Sequence, residues 1–89
     1  MIVTVDISLY PLSDEFEPRV IEFIHRLREY PDIEVITNQM STQLRGEYDA
    51  VANALTECQR EQMESGGKMV FVVRWLNSDL DIGRLPDIG

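Results

Sequence analysis

Apolar and polar residues alternate at the start of the chain, and this alternation is the first indication of the fold. Within residues 2–11 every second side chain is apolar, the set being Val3, Val5, Ile7 and Leu9. The residues between them are polar or amphipathic: Thr4, Asp6, Ser8 and Tyr10. A period of two places the two sets on opposite sides of a β-strand that has one buried face. Pro11 is expected to end this strand.

Two later segments have the period of a helix instead. Apolar residues at helical spacing predict a helix over about residues 15–30, the stripe being Phe16, Val20, Phe23, Ile24 and Leu27. A second helix is predicted over about residues 47–65, with the stripe Tyr48, Val51, Ala52, Leu55 and Cys58 or Gln59. This helix should close at Gly66-Gly67, because glycine can adopt the left-handed conformation that follows many helices.

Three further strands complete the pattern. We predict strands in "DIEVITNQ" (residues 32–39), "TQLRG" (42–46) and "KMVFVVRWL" (68–76), with Met40-Ser41 as the loop between the first two. The order β-α-β-β-α-β predicts an α+β, ferredoxin-like sandwich, in which a four-stranded antiparallel sheet carries two helices on one face. We assign residues 1–76 to this domain. Residues 77–89 have no period and are assigned to a C-terminal tail.

The predicted topology gathers polar side chains at one end of the sheet. The first strand ends there, the second strand ends there and the third begins there. The side chains concerned are Asp6, Ser8, Tyr10, Thr37, Asn38, Gln39, Ser41 and Thr42. They form a candidate binding rim beside the first helix, whose free amides add hydrogen-bond donors. The alternative is that the hairpin residues only satisfy the backbone of a tight turn, as Ser, Thr and Asn do in most hairpins.

The other face of the sheet raises the question of a partner. Both helices of this fold cover one side, and the last strand is nevertheless apolar on both sides. Val70 and Val72 point one way, and the opposite side carries Met69, Phe71, Val73 and Trp75. An exposed apolar patch between two free edge strands favours self-association. We therefore expect a homodimer or homotetramer.

Composition excludes several classes of function. The 89 residues include 16 acidic and 8 basic side chains, and the formal charge of −8 disfavours nucleic acid and anionic membrane surfaces. The lone cysteine, Cys58, excludes an internal disulfide and a cysteine-based zinc cluster, and we expect a cytoplasmic protein. There is no catalytic triad order, phosphate loop or metal-ligand spacing, and the loop "YPLSDEFE" is acidic. We expect a protein that is not an enzyme and that needs no cofactor.

The first strand and the hairpin together resemble a known family. The pairing of "VDISLYPL" with "TNQMSTQLRGEYDAV" is similar to the YkoF-like thiamine-binding family of small ferredoxin-like proteins. The first strand ends in the Tyr10-Pro11 corner, and the hairpin pattern of that family is matched by Met40, Ser41, Thr42, Gly46 and Glu47. Arg45 departs from it, because an acidic residue often precedes the glycine. The resemblance covers about residues 1–76.

The resemblance implies a function and a division of the rim. It implies non-catalytic binding of thiamine or a related hydroxymethylpyrimidine by a dimer or tetramer. Hydroxyl and amide groups of the rim would bind the aminopyrimidine, in a pocket at a subunit contact. Tyr10, an acidic neighbour such as Asp6, or a residue of another subunit would face the thiazolium cation. The alternative is an oligomeric interaction or regulatory module that does not bind thiamine, or one that senses another small metabolite.

Overall fold

The computed structural model describes residues 1–89 and confirms the predicted ferredoxin-like order of elements. They are β1 (Ile2–Pro11), α1 (Phe16–Leu27), β2 (Glu34–Thr37), β3 (Thr42–Glu47), α2 (Tyr48–Glu64) and β4 (Met69–Leu76). The sheet order is β2-β3-β1-β4, and every neighbouring pair is antiparallel. β1 and β3 are therefore central, and β2 and β4 are the edge strands, as the connectivity predicts.

One hydrophobic core lies between the sheet and the two helices. All four alternating apolar residues of β1 are buried in it, and they meet Leu44 of β3. The helices contribute Phe23 and Leu27 from α1 and four residues from α2, namely Val51, Ala54, Leu55 and Cys58. The period of two in β1 thus gives the buried face that the sequence predicts. Neither helix is long and apolar enough to cross a membrane.

Two residues of the predicted helical stripes are exposed. Phe16 is 57% exposed, because it is the first residue of α1 and precedes the turns that pack on the sheet. Tyr48 is 46% exposed at the start of α2, where its ring lies 5.3 Å from the ring of Trp75. Within α2 the buried positions include Ala54, whereas Ala52 is only partly buried. Gly66 and Gly67 follow α2 with φ of 100° and 83°, as expected for a glycine helix stop.

The second strand is shorter than its sequence pattern predicts. β2 covers only Glu34–Thr37, and residues 38–41 form the hairpin loop. Asn38 ends the strand because its side-chain oxygen accepts hydrogen bonds from the amides of Met40 and Ser41, at 2.9 and 3.0 Å. A side chain that bonds to the backbone two or three residues ahead favours a turn over a continuing strand.

The side of the sheet that carries no helix, here called the open face, is covered at one end by the chain itself. After β4 the chain turns back over β1, where the Thr4 hydroxyl donates to the carbonyl of Ser78 at 2.8 Å and accepts from the amide of Leu80 at 3.1 Å. Asp79 pairs with Arg45 of β3. Residues 78–80 therefore cross the sheet from β4 to β3. The other end of the open face stays uncovered, with Tyr10, Val70 and Val72 exposed.

Candidate functional site

A cavity of about 130 Å³ lies where the β2–β3 hairpin meets β1 and α1. Seven of the eight predicted site residues line it, namely Ser8, Tyr10, Thr37, Asn38, Gln39, Ser41 and Thr42. The apolar part of the lining comes from β1, α1 and the hairpin tip: Ile7, Leu9, Val20, Phe23, Ile24 and Met40. The structure thus brings the end-of-sheet residues together around one cavity. Asp6 is the predicted site residue that does not line it.

The short β1–α1 connection explains why α1 forms a wall of this cavity. Only residues 12–15 separate the end of β1 from the start of α1, so the first turns of the helix must lie beside the C-terminal end of β1. The hairpin reaches the same end because Ile7 pairs with Thr42 and Thr37 pairs with Thr42. Chain connectivity alone therefore places a helix wall opposite the hairpin.

Two polar side chains of the hairpin already form hydrogen bonds that stabilise the fold. Asn38 uses its side-chain oxygen in the turn, and its amide nitrogen donates to Gln43 Oε1 at 3.3 Å. Ser41 donates from its hydroxyl to Asp6 Oδ1 at 2.6 Å. For these two residues the structure supports the turn-forming role that hairpin composition generally suggests.

Other polar groups of the cavity keep free bonding capacity. The hydroxyls of Thr37 and Thr42 lie 3.0 Å apart and share one hydrogen bond, so the pair retains one donor and further lone pairs. The side chain of Gln39 forms no hydrogen bond within the chain. The side chains of Ser8 and Tyr10 form none either, but strand alternation places them on the open face, at the edge of the cavity. A ligand ring in the cavity would therefore meet hydroxyl and amide groups that can each donate or accept.

Asp6 lies behind the hairpin, on the open face. Its carboxylate accepts from Ser41 and from Gln43 Nε2, the latter at 2.9 Å, and it pairs with Arg74 Nη2 at 2.9 Å. Partial burial opposes ionisation of this carboxyl, but the hydrogen bonds from Ser41, Gln43 and Arg74 outweigh it and hold its pKa below the ordinary value. Asp6 is thus an ionised anchor for the hairpin.

The lining of the cavity carries no acidic or basic side chain. Its polar groups are hydroxyls, amides and one phenol, and the remainder is aliphatic, thioether or phenyl. Such a surface suits a neutral ring that has hydrogen-bonding edges and apolar faces. It supplies no carboxylate, imidazole or amine that could exchange a proton with a ligand near neutral pH.

The sequence predicts a rim beside the first helix, but the helix side chains that line the cavity and Gln43 are not among the predicted site residues. Val20, Phe23 and Ile24 were assigned to the core by their spacing, and the signal that could have placed them at the site is the short β1–α1 connection. Gln43 is the register partner of Asp6, so strand alternation alone could have put both side chains on the open face.

Comparison with known proteins finds relatives of the fold. No protein-family model matches the sequence, and no protein of curated function matches it. A hypothetical protein of Methanocaldococcus jannascii has a TM-score of 0.76 at 24% identity, over 88% of this chain and 81% of that one. A Thermotoga maritima protein, provisionally named a thiamine biosynthesis/salvage protein, has a TM-score of 0.64 at 20% identity, over 97% and 90%.

A third solved structure adds to this group. A domain of unknown function from Bacillus cereus, DUF77, has a TM-score of 0.64 at 17% identity, over 92% of this chain and 84% of that one. At these identities the likeness shows a shared fold. The fold of this chain therefore occurs, at nearly full length, in proteins that include one linked by name to thiamine.

Proposed function

We propose that this chain binds thiamine or a related hydroxymethylpyrimidine in the hairpin cavity, as a non-catalytic, YkoF-like protein that acts as a cytoplasmic homodimer or homotetramer. The observation that carries the proposal is the uncharged cavity itself, in which free hydroxyl and amide groups face apolar walls. An aminopyrimidine has the matching properties, since its edge donates and accepts hydrogen bonds and its faces are apolar. The Thermotoga maritima neighbour adds support by its name.

The size of the cavity supports an oligomeric binding site. Pockets that enclose small ligands usually measure roughly 300 Å³ or more, whereas this cavity has about 130 Å³. One chain can therefore enclose a single ring, and the rest of a molecule such as thiamine would project outwards. A second chain packed beside the hairpin would cover that part. Tyr10, which is 53% exposed at the edge of the cavity, is the residue placed to meet it.

The charge of the chain favours the orientation in which one ring of thiamine enters the cavity and the rest projects outwards. The neutral pyrimidine would lie in the uncharged cavity, and the thiazolium cation would remain outside it, where the net charge of −8 favours a positive group. Asp6 is not free to contact the cation from within the cavity, because it lies outside the lining and holds Ser41, Gln43 and Arg74. Tyr10 is left as the aromatic group for the cation.

A second candidate function is a self-associating module that binds no thiamine. Exposed apolar side chains on the open face favour it, because Val70 and Val72 are each 46% exposed on the edge strand β4 and lie beside exposed Tyr10. Contiguous exposed apolar surface of this kind commonly marks a contact with another protein.

Titration calorimetry with thiamine and with hydroxymethylpyrimidine distinguishes the two functions. We expect saturable binding of both compounds by the native protein. Gln39→Ala should weaken that binding about three- to tenfold, because it removes one uncommitted amide from the cavity. Gln59→Ala is the matched control, since Gln59 lies on α2 outside the cavity, and its affinity should equal that of the native protein. Absence of heat with both compounds, while the oligomer persists, would favour the second function.

A further inference from the structure

We propose that Asp6 is a positioning residue. From the open face of the sheet, and with the help of Arg74, it fixes the β2–β3 hairpin that lines the cavity. The inference rests on the proposed function, because it concerns the shape of the same cavity. It changes the role predicted for Asp6 from a ligand contact to a positioning residue, because Asp6 would affect the ligand only through Ser41. It also extends the binding machinery to Arg74, which does not line the cavity.

The carboxylate of Asp6 has no bonding capacity left for a ligand. Oδ1 accepts from Ser41 Oγ at 2.6 Å and from Gln43 Nε2 at 2.9 Å. Oδ2 accepts from Arg74 Nη2 at 2.9 Å and from Arg74 Nε at 3.3 Å. A carboxylate offers about four lone-pair sites, and these bonds occupy all of them. The Asp6 carboxylate therefore makes its hydrogen bonds within the protein.

The hairpin depends on this anchor because its backbone pairing with β1 stops early. The ladder between β1 and β3 ends at the pair Ile7 and Thr42, and the loop of residues 38–41 lies beyond it. Within the loop, Asn38 holds the amides of Met40 and Ser41, and both Asn38 and Ser41 bond to Gln43 of β3. These bonds shape the turn and tie it to its own hairpin strand, but they do not fix it to β1. The Ser41–Asp6 hydrogen bond makes that connection across 35 residues of sequence.

Arg74 supports the anchor from an exposed position. It is the register partner of Asp6 on the edge strand β4, and its side chain is 78% exposed on the open face. Its guanidinium meets the carboxylate oxygen that does not bind the hairpin. A contact on the open face that draws Arg74 away from Asp6 therefore weakens the anchor, although it never touches the cavity.

The test compares Asp6→Asn and Arg74→Gln with Arg45→Gln as the matched control. Arg45 also forms ion pairs on the open face, but its partners are Asp79 of the tail and Glu34, which lies at the end of the hairpin strands away from the loop. Two quantities are measured: hydrogen exchange of the Met40 and Ser41 amides, with β1 amides as internal reference, and thiamine affinity by calorimetry. Asp6→Asn should weaken thiamine binding about tenfold. Arg74→Gln should weaken it about threefold, since the exposed ion pair is weak.

Both variants should accelerate exchange in the hairpin more than in β1, and Arg45→Gln should behave as the native protein. Arg74→Lys keeps the charge and should recover most of the lost affinity. The proposal is overturned if Asp6→Asn exchanges and binds as the native protein does, or if Arg45→Gln has the same effect as Arg74→Gln. If the native protein binds no thiamine, the proposed function fails, and the exchange rates alone still decide whether Asp6 and Arg74 position the hairpin.

Discussion

The carboxyl group of Asp6 links hairpin geometry to pH. Partial burial raises its pKa, but the hydrogen bonds from Ser41, Gln43 and Arg74 lower it by more, so the folded pKa lies below the ordinary value. A depressed folded pKa means that the ionised group stabilises the fold above the unfolded pKa of about 3.9. This contribution is lost as the pH falls through the folded pKa.

Asp6→Asn should therefore lower the free energy of unfolding by about 1–2 kcal/mol near pH 7, because it replaces hydrogen bonds to a charged group. The difference between the native protein and the variant should begin to shrink below about pH 4, where the carboxyl of the unfolded chain takes up a proton, and should be lost as the pH falls through the lower folded pKa. Urea unfolding at a series of pH values measures both free energies. A difference that stays constant from pH 7 to pH 3 would contradict a stabilising role for the ionised form.

Residue type predicted the membership of the rim better than the role of each residue. Thr37, Thr42 and Gln39 line the cavity with bonding capacity to spare, whereas Asn38 and Ser41 are largely committed to the turn and to Asp6. Such a division cannot be predicted from composition. A hydroxyl or amide serves a turn and a ligand equally well, and only the positions of its neighbours decide which of the two it serves.

At the scale of elements, β3 is packed closely against its neighbours at Gly46. A Cβ atom at Gly46 would lie 3.2 Å from the backbone carbonyl oxygen of Asp32, 3.2 Å from Cγ2 of Ile33 and 3.4 Å from Cγ2 of Val51. The first of these neighbours is backbone and cannot rotate away. Gly46 thus lets the segment before β2 and the start of α2 close on β3.

Gly46→Ala should lower the free energy of unfolding by about 1–3 kcal/mol through overpacking. Gly83→Ala is a suitable control, because its Cβ would meet nothing nearer than Asp81 Oδ1 at 3.6 Å. Chemical denaturation of both variants measures the effect. Equal stability of the two variants would show that the segment around Asp32 moves aside without cost.

Element type and order followed from periodicity, whereas element ends depended on contacts that periodicity does not include. The alternation in β1 and the stripe of α1 placed both elements and their buried faces correctly. β2 ended early because Asn38 bonds to the turn, and Phe16 and Tyr48 are exposed because each begins its helix. Helix and strand ends are set by such local competition.

The contacts of the C-terminal tail could not be predicted from the sequence, for a related reason. Residues 77–89 have no hydrophobic period, yet residues 78–80 cross the open face through the Thr4 hydroxyl and the Arg45–Asp79 pair. These are single polar contacts between positions more than 30 residues apart, and no local pattern predicts them. Their consequence for the whole molecule is that self-association on the open face can use only the end near Tyr10, Val70 and Val72.

At the scale of the whole molecule, net charge should rank the thiamine compounds. The chain carries −8, and no basic side chain lines the cavity. Thiamine pyrophosphate adds negative charge to the ligand and should bind several-fold more weakly than thiamine, because the field of the protein opposes it. Neutral hydroxymethylpyrimidine should be indifferent to that field.

A change in ionic strength should alter the affinities of the three compounds differently, and the same calorimetric titrations measure this. Raising salt from about 0.01 M to 0.15 M shortens the screening length from roughly 30 Å to 8 Å. Binding of cationic thiamine should weaken, binding of the pyrophosphate should strengthen, and binding of hydroxymethylpyrimidine should not change. Pyrophosphate binding that equals or exceeds thiamine binding at low salt would place the ligand beside a basic group, and therefore outside the hairpin cavity.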